Sequence, residues 1–172
     1  MSRPPPWPVV VLAAIASSGV VAAGLPGGAP SAAAAQRIIQ GGGAAETVEL
    51  RQQAFKRLAF AFKLIHNEVR VSSPDTAKIG AAAAEVKAAA SHLAEWFPAG
   101  SGPEAGLKTH AKPEIWSDGR GFAAARAAFI RQAEKSVRQL TDPGERAAWK
   151  DAAAALGQAC RDCHDSYRFK AD

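Results

Sequence analysis

The sequence holds little of what disulfide-rich, strand-rich or nucleic-acid-binding proteins need. Its 172 residues include two cysteines, one tyrosine and a single methionine, Met1. Two cysteines exclude a disulfide scaffold. The apolar share of 48% leans on alanine, which favours helices and is depleted in strands. The formal net charge is +5, but the basic residues are spread along the chain. That spacing indicates solvated helix faces and a docking surface for an acidic partner, and it argues against nucleic-acid binding.

The first 35 residues differ from the rest, because Arg3 is their only charged residue. An apolar stretch at 9–16 follows it, and Ser, Gly and Ala come next. This order is typical of a secretory signal peptide. Ala33-Ala34-Ala35 matches a cleavage site, and Val21-Ala22-Ala23 is an earlier candidate. The alternative is an uncleaved anchor, but Gly and Pro interrupt the apolar run short of the ~20 residues that span a membrane. We therefore predict a signal peptide over 1–35 and an exported, periplasmic domain over 36–172, with no membrane segment after cleavage.

Apolar residues in the exported part recur at helical spacing in four segments. The first covers 44–71, the second starts at Pro74 after a Ser73 cap and reaches Phe97, and the third covers about 118–140. The fourth follows a cap at Asp142 and continues to about Phe169. Residues 98–117 hold six glycines and prolines, which predicts a long crossover between the second and third helices. The fold class is therefore all-α, an antiparallel four-helix bundle.

The predicted inward faces follow from these spacings. On the first helix, Arg51 falls in the second of two apolar columns, three residues after Val48 of the first column and seven before Leu58 of its own. A hydrophobic residue is expected there. The remaining positions are apolar or small. The predicted inward residues are Val48, Phe55, Phe62, Val69, Leu58 and Ile65; then Ile79, Ala83, Val86, Ala90, Leu93 and Phe97; then Phe122, Phe129, Ala133 and Leu140; and last Trp149, Leu156, Cys160, Cys163 and Tyr167.

The segment Cys160-Arg161-Asp162-Cys163-His164 is a C-x-x-C-H motif, the attachment signature of c-type haem. Cysteines three residues apart lie on one face of a helix, so both thiols can bond to the two vinyl groups of one porphyrin. The adjacent His164 can then bind iron as the proximal ligand. The motif predicts one haem c, covalently bound through Cys160 and Cys163, with His164 as the metal ligand.

Three other interpretations of the cysteine pair are weaker. A redox disulfide normally accompanies a βαβ pattern, and the sequence offers no strands. A zinc site needs four ligands, and no second pair has ligand spacing. A structural disulfide between residues three apart on a helix has poor geometry.

The sixth coordination position of such a haem is often filled by Met or His. After cleavage of the signal peptide the chain has no methionine, so Met ligation is excluded. His66 lies next to Ile65 on the first helix and is the histidine that could reach inward, although a boundary position is the more ordinary interpretation.

The sequence resembles the cytochrome c′ family, the class II c-type cytochromes. The resemblance rests on the motif with its following Asp165-Ser166-Tyr167-Arg168, on the segment from Ala111 to Trp116, and on Leu50-Arg51-Gln52-Gln53-Ala54-Phe55. It extends over the whole exported part of the chain. The resemblance implies an antiparallel four-helix bundle, usually a homodimer through its first two helices, with one five-coordinate high-spin haem.

The resemblance also assigns roles to individual residues. It implies that Arg51 and Gln52 contact the haem propionates, that Thr109 touches haem from the crossover, and that Phe55 covers the distal face. Arg168 would lie near the proximal face, where nitric oxide displaces the histidine in relatives. The ordinary alternatives are a snorkelling Arg51, core packing for Phe55 and a surface position for Arg168.

These expectations favour a haem protein that binds NO and CO and that also transfers electrons to an unidentified redox partner. An open iron under an apolar lid offers no hydrogen-bond donor to bound O₂. The alternative is a six-coordinate, low-spin electron carrier with a His sixth ligand. An enzyme is not expected, because the distal His and Arg of peroxidases have no counterpart on the open face.

Overall fold

The computed structural model describes residues 43–170, so the predicted signal peptide and its cleavage site lie outside the described residues. Four long helices account for most of this range: α1 (Ala44–Glu68), α2 (Thr76–His92), α3 (Gly119–Thr141) and α4 (Trp149–Tyr167). The connections contain three 3₁₀ helices and one α-helical turn. These are Leu93–Trp96, Pro103–Ala105 and Pro143–Ala148, and the turn Glu114–Ser117.

The four long helices pack as a closed ring. α1 contacts α2 and α4, and α3 also contacts α2 and α4. The arrangement confirms the all-α four-helix bundle expected from the sequence. Within residues 43–170 the only β-type pairing is an isolated bridge between Ala111 and Arg168. No helix in that range is long and apolar enough to cross a membrane.

The inward face of α1 is centred differently from the expectation. The column of Arg51, Leu58 and Ile65 is buried, whereas the other predicted column is buried at Val48 and Val69 and only half-buried at Phe55 and Phe62. An α-helix has 3.6 residues per turn, so a seven-residue column drifts around the helix axis, and packing selects which column points inward. The expected faces of α3 are confirmed, since Phe122, Phe129, Ala133 and Leu140 are all buried.

The helix caps differ in detail from the prediction. Asp75, not Ser73, caps α2: its side chain accepts hydrogen bonds from the backbone N–H groups of Ala77 and Lys78, both at 3.0 Å. A carboxylate at this position satisfies two free donors of the first turn. Asp142 also caps, but it begins the 3₁₀ helix Pro143–Ala148 rather than α4 itself.

Residues 97–113, called the crossover segment below, connect the bundle end of α2 to α3. Gly100 and Gly106 have φ angles of +77° and +71°, which favour glycine. The last residues of the segment pair with the chain that follows α4. The Lys112 N–H donates to the Tyr167 carbonyl at 3.1 Å, and the Phe169 N–H donates to the His110 carbonyl at 2.8 Å. The crossover segment is therefore fastened at the end of the helix that carries the C-x-x-C-H motif.

Candidate functional site

The motif residues lie in the last two turns of α4. Cys160, Cys163 and His164 are each half-buried, and both thiols are free. Cys160 packs against the main core, and Cys163 packs against a second, smaller cluster formed by Ala111, Ile115 and Phe122. The two thiols therefore lie where the two clusters meet, within one face of one helix.

Burial sets the protonation of these groups. It raises the pKa of Cys160 to about 11, and it raises the pKa of Cys163 as well. A redox dithiol needs a low thiol pKa so that the nucleophilic thiolate forms, and this pair lacks it. Burial, with the charge of Arg168, lowers the pKa of His164, although Asp165 opposes this. The imidazole is therefore neutral near pH 7 and has a lone pair for a metal.

The surroundings of the motif leave room beside it. A cavity of about 380 Å³ lies between α3 and α4 and opens next to Cys163. Much of its wall is alanine, from Ala125 and Ala128 on α3 and Ala155 and Ala159 on α4. These short side chains leave space that larger residues would fill.

Gly157, one turn before Cys160, makes a close approach of α1 to α4 possible. A Cβ atom at this position would lie 2.8 Å from the ring of Phe62 on α1. Glycine thus lets the Phe62 ring pack directly on the α4 backbone, which fixes the spacing of the two helices beside the motif.

Arg51 is the most unusual residue of the bundle interior, because its charged side chain is 2% exposed. Its guanidinium donates to four neutral oxygens in and just before the crossover segment: the Trp96 carbonyl (3.2 Å), the Ser101 hydroxyl and carbonyl (3.0 and 2.9 Å) and the Thr109 hydroxyl (3.1 Å). It also lies over the rings of Phe97 and Trp116, at 5.0 and 5.8 Å. The side chain therefore does not snorkel to solvent, contrary to the ordinary alternative.

The charge of Arg51 has no anionic partner among the described residues. No carboxylate in the range 43–170 lies within ion-pair distance of it, and only Glu104 acts on it from farther away. Burial consequently lowers the pKa of Arg51 to about 10. A buried cation with only neutral partners is costly, and an incoming carboxylate would compensate it.

Three further predicted site residues lie around Arg51. The Gln52 amide donates to the Lys108 carbonyl at 2.8 Å, and Thr109 bonds to Arg51 as described. The Phe55 ring packs edge-on against Trp96, with centroids 5.0 Å apart, and against Phe97 at 6.2 Å. The structure thus brings Arg51, Gln52, Phe55 and Thr109 together around one connection, although they come from two distant parts of the sequence.

Aromatic rings link this group to the end of α4. Phe97 lies 5.0 Å from Phe122, and Phe122 lies 5.2 Å from Tyr167, both in edge-on geometry. The Tyr167 hydroxyl donates to Asp118 at 3.0 Å. Because Cys163 packs against the same cluster, the Arg51 group and the motif border a common aromatic region.

The remaining histidines show no shared site. His66 lies against the Phe62 ring with centroids 5.9 Å apart, His92 bonds to Glu95, and His110 is exposed. No group of three or more His, Cys, Asp or Glu side chains converges in the described part of the chain as a metal cluster would. Two thiols and an imidazole on one helix face suit an iron porphyrin better than a bare ion.

Sequence reasoning missed the residues that hold Arg51 in place. Ser101 is 1% exposed and receives two of the four guanidinium hydrogen bonds, yet it stands between glycines in a segment that reads only as a loop. The Trp96 carbonyl and the Tyr167–Asp118 hydrogen bond also carried no signal in the sequence. A buried arginine signals that partners exist, but it does not identify them.

A four-helix bundle whose last helix carries a haem-attachment motif defines a class of c-type haem proteins, and the comparisons with known proteins agree. The family profile described as cytochrome c′ matches residues 46–168. The cytochrome c′ of Rubrivivax gelatinosus is 34% identical over 128 residues, 73% of this chain and 95% of that one. The chain belongs to the cytochrome c′ family.

Solved structures agree with the bundle. The crystal structure of the Rubrivivax gelatinosus protein has a TM-score of 0.66 at 29% identity, covering 73% of this chain and 97% of that one. A nitric oxide complex of a cytochrome c prime variant from Alcaligenes xylosoxidans has a TM-score of 0.63 at 29% identity, covering 73% and 95%. A cytochrome c′ with ligand-controlled dimer dissociation has a TM-score of 0.67 at 26% identity, covering 76% and 99%.

Proposed function

We propose that this protein is a periplasmic gas-binding cytochrome c′ that carries one covalent, five-coordinate haem. Each thiol would add across one vinyl group of the haem, so that sulfur bonds to one vinyl carbon and the thiol hydrogen ends on the other. Cys160 and Cys163 would hold the porphyrin in this way, and His164 would bind its iron. The observation that carries the proposal is the half-buried motif of Cys160, Cys163 and His164 on one helix, together with a buried Arg51 that has no carboxylate within ion-pair distance among residues 43–170.

The surrounding side chains would then have separate roles at the haem. Arg51 supplies a fixed positive charge for a haem propionate, and Gln52 and Thr109 line the same edge. Phe55 covers the distal face with a ring that neither donates a hydrogen bond nor binds a metal. The haem iron would supply the bond to NO or CO, and the apolar cover that Phe55 provides would favour these ligands over O₂.

Two further features of the proposal concern partners. The nitric oxide complexes of the Alcaligenes xylosoxidans protein support NO as a ligand. Ligand-controlled dimer dissociation in another relative supports a homodimer here, through the outer faces of α1 and α2. On α1 that face exposes 70% of Phe60, which a second copy would cover. Electron transfer to an unidentified redox partner is a secondary role, and turnover as an enzyme is not part of the proposal.

A six-coordinate electron carrier is the second candidate function. Its support is the half-buried His66 on α1, which is the helix expected to face the distal side of the haem. In this case the iron would have no free position, and gas binding would first require loss of the histidine.

Titration of the purified ferrous protein with CO and with NO separates the two candidates. The proposal predicts saturable binding of both gases, with spectral changes that begin at the first addition. A matched His66→Ala variant should bind CO with the affinity of the wild type. Failure to bind CO in the wild type, together with binding in His66→Ala, would establish the six-coordinate carrier instead.

A further inference from the structure

The crossover segment makes contacts at two places that are distant in sequence. Near its start and middle it supplies the Ser101 and Thr109 oxygens that receive hydrogen bonds from Arg51. At its end it pairs with residues 167–169, at the C-terminal end of the helix that carries His164. The same short stretch of chain therefore touches the predicted propionate partner and the predicted proximal side.

Thr109 is the residue through which these two contacts meet. Its hydroxyl oxygen accepts the Arg51 hydrogen bond at 3.1 Å and also one from the Ala111 N–H at 3.2 Å. Ala111 is the residue that forms the bridge with Arg168. A single oxygen atom thus joins the guanidinium on α1 to the backbone that pairs with the end of α4.

The pairing beyond Thr109 is extensive for so short a segment. Lys112 donates its backbone N–H to the Tyr167 carbonyl and its ammonium group to the Asp165 carbonyl, at 3.1 and 3.0 Å. The Phe169 N–H returns to the His110 carbonyl at 2.8 Å. Three hydrogen bonds with residues 110–112 therefore hold the end of α4. A shift of residues 110–112 would move the end of α4 with them.

We propose that the crossover segment is a strap that couples the position of the Arg51 guanidinium to the segment after His164, with Thr109 and Ser101 as positioning residues. Thr109 orients Arg51 and the Ala111 backbone together, so neither can move alone. Ser101 accepts two further hydrogen bonds from Arg51, and its own hydroxyl donates to the Pro98 carbonyl at 2.8 Å. The consequence for the haem rests on the function proposed above, whereas the coupling between the two segments does not.

The test is a Thr109→Val substitution in the haem-loaded protein, which keeps the shape of the side chain and removes its oxygen. Hydrogen exchange is measured by mass spectrometry on peptides 108–113 and 165–170. The strap predicts that the Phe169 amide in the second peptide exchanges about tenfold faster, since the loss of two hydrogen bonds loosens the pairing. Thr109→Ser, which keeps the oxygen, should exchange as the wild type does.

The reduction potential supplies the second measurement. Thr109→Val should shift it in the same direction as Arg51→Leu, and the double variant should show no shift beyond that of Arg51→Leu alone. Thr141→Val, which removes a hydroxyl bonded only within α3, is the matched control and should change neither measurement.

Unchanged exchange in peptide 165–170, or potential shifts that add in the double variant, would overturn the strap. A wild-type preparation that lacks covalent haem would contradict the proposed function instead, and the exchange measurement would still decide whether the coupling exists.

Discussion

The two hydrophobic clusters of this bundle are built differently. The main cluster is closed, with Ile65, Ala83, Val86 and Ala133 each at 0% exposure. The second cluster has only three buried members, and its other residues, including Phe97, Trp116 and Cys163, are half-buried. Arg51 lies over two of those aromatic rings. The comparison indicates that the closed cluster stabilises the bundle. The open cluster leaves half-buried side chains and the charge of Arg51 available to a bound group.

The strongest way to break this comparison is to remove the motif thiols, which lie where the two clusters meet. We expect the double variant Cys160→Ala, Cys163→Ala to contain no covalently bound haem, and each single variant to attach it more weakly. Acid–acetone extraction of the wild type should leave haem with the protein. Haem that passes into the organic layer from the wild type would contradict the c-type assignment.

Phe55 packs against the main cluster and against Phe97 of the second one, so it tests whether this boundary is a ligand site or only loose packing. Moving a packed ring costs about 1–3 kcal/mol, which corresponds to a roughly 5- to 150-fold penalty in affinity. Phe55→Ala should therefore raise CO affinity by about that factor, and it should lower the free energy of unfolding by about 3 kcal/mol.

The matched variant in the closed cluster is Leu140→Ala, at a residue that is 1% exposed. It should cost about 2–5 kcal/mol of stability and leave CO affinity unchanged. If Phe55→Ala melts at a lower temperature but binds CO no better, Phe55 is core packing and does not cover the distal face.

Arg51→Leu separates the charge at the open side from its packing. A propionate without its cation disfavours further negative charge on the haem, so the reduction potential should fall. The four oxygens that now receive hydrogen bonds from Arg51 would lose their donor, and we expect a loss of about 1–3 kcal/mol of stability. Because leucine suits the apolar seam, we expect little loss of helix.

Arg126→Leu is the control for this change, because Arg126 lies over Phe122 at 5.8 Å without joining the Arg51 hydrogen bonds. Arg126→Leu should shift the reduction potential less than Arg51→Leu does. Equal shifts in the two variants would mean that only net charge matters and that Arg51 has no special place at the haem edge.

Ser136 is a buried polar residue on the closed side. It is 0% exposed, donates to the Ala152 carbonyl at 2.9 Å and accepts from the Gln132 amide at 3.0 Å. Its hydrogen-bonding groups are satisfied within α3 and α4, unlike the charge of Arg51. Ser136→Ala should cost about 1 kcal/mol of stability, measured by urea denaturation, without a change in the haem spectrum.

The smallest effect is expected at Asp75, which lies in the exposed turn before α2 and caps that helix. Hydrogen bonds from the first turn lower the pKa of Asp75 below its usual value. The contribution to stability is therefore present above the ordinary aspartate pKa and is lost as the pH falls through the lower, folded-state pKa. Asp75→Ala should melt slightly lower than Ser73→Ala at pH 7, and the difference should vanish in strong acid.

Most of the fold could be predicted because it depends on local periodicity. The four helices, the buried faces of α2 and α3, and the motif on α4 all follow from spacings within one segment. The environment of Arg51 could not be predicted in this way. Its partners are 45, 50 and 58 residues away in sequence, and hydrogen bonds over such distances leave no local pattern.

The errors in local detail have physical causes of the same kind. Ser73 and Asp75 are both good caps, and the choice depends on which one can reach two backbone N–H groups in the folded turn. Likewise, both columns of α1 are apolar enough to be buried. Tertiary packing buried the column that contains Arg51 along its whole length, whereas the other column is buried only at Val48 and Val69.

The central claim is an iron with one open position under Phe55, and its most direct test is the spin state of the ligand-free protein. We predict that the ferric and ferrous absorption spectra near pH 7, without added gas, are both those of high-spin haem. A ferrous spectrum with the sharp, separate α and β bands of low-spin, six-coordinate haem would contradict the account.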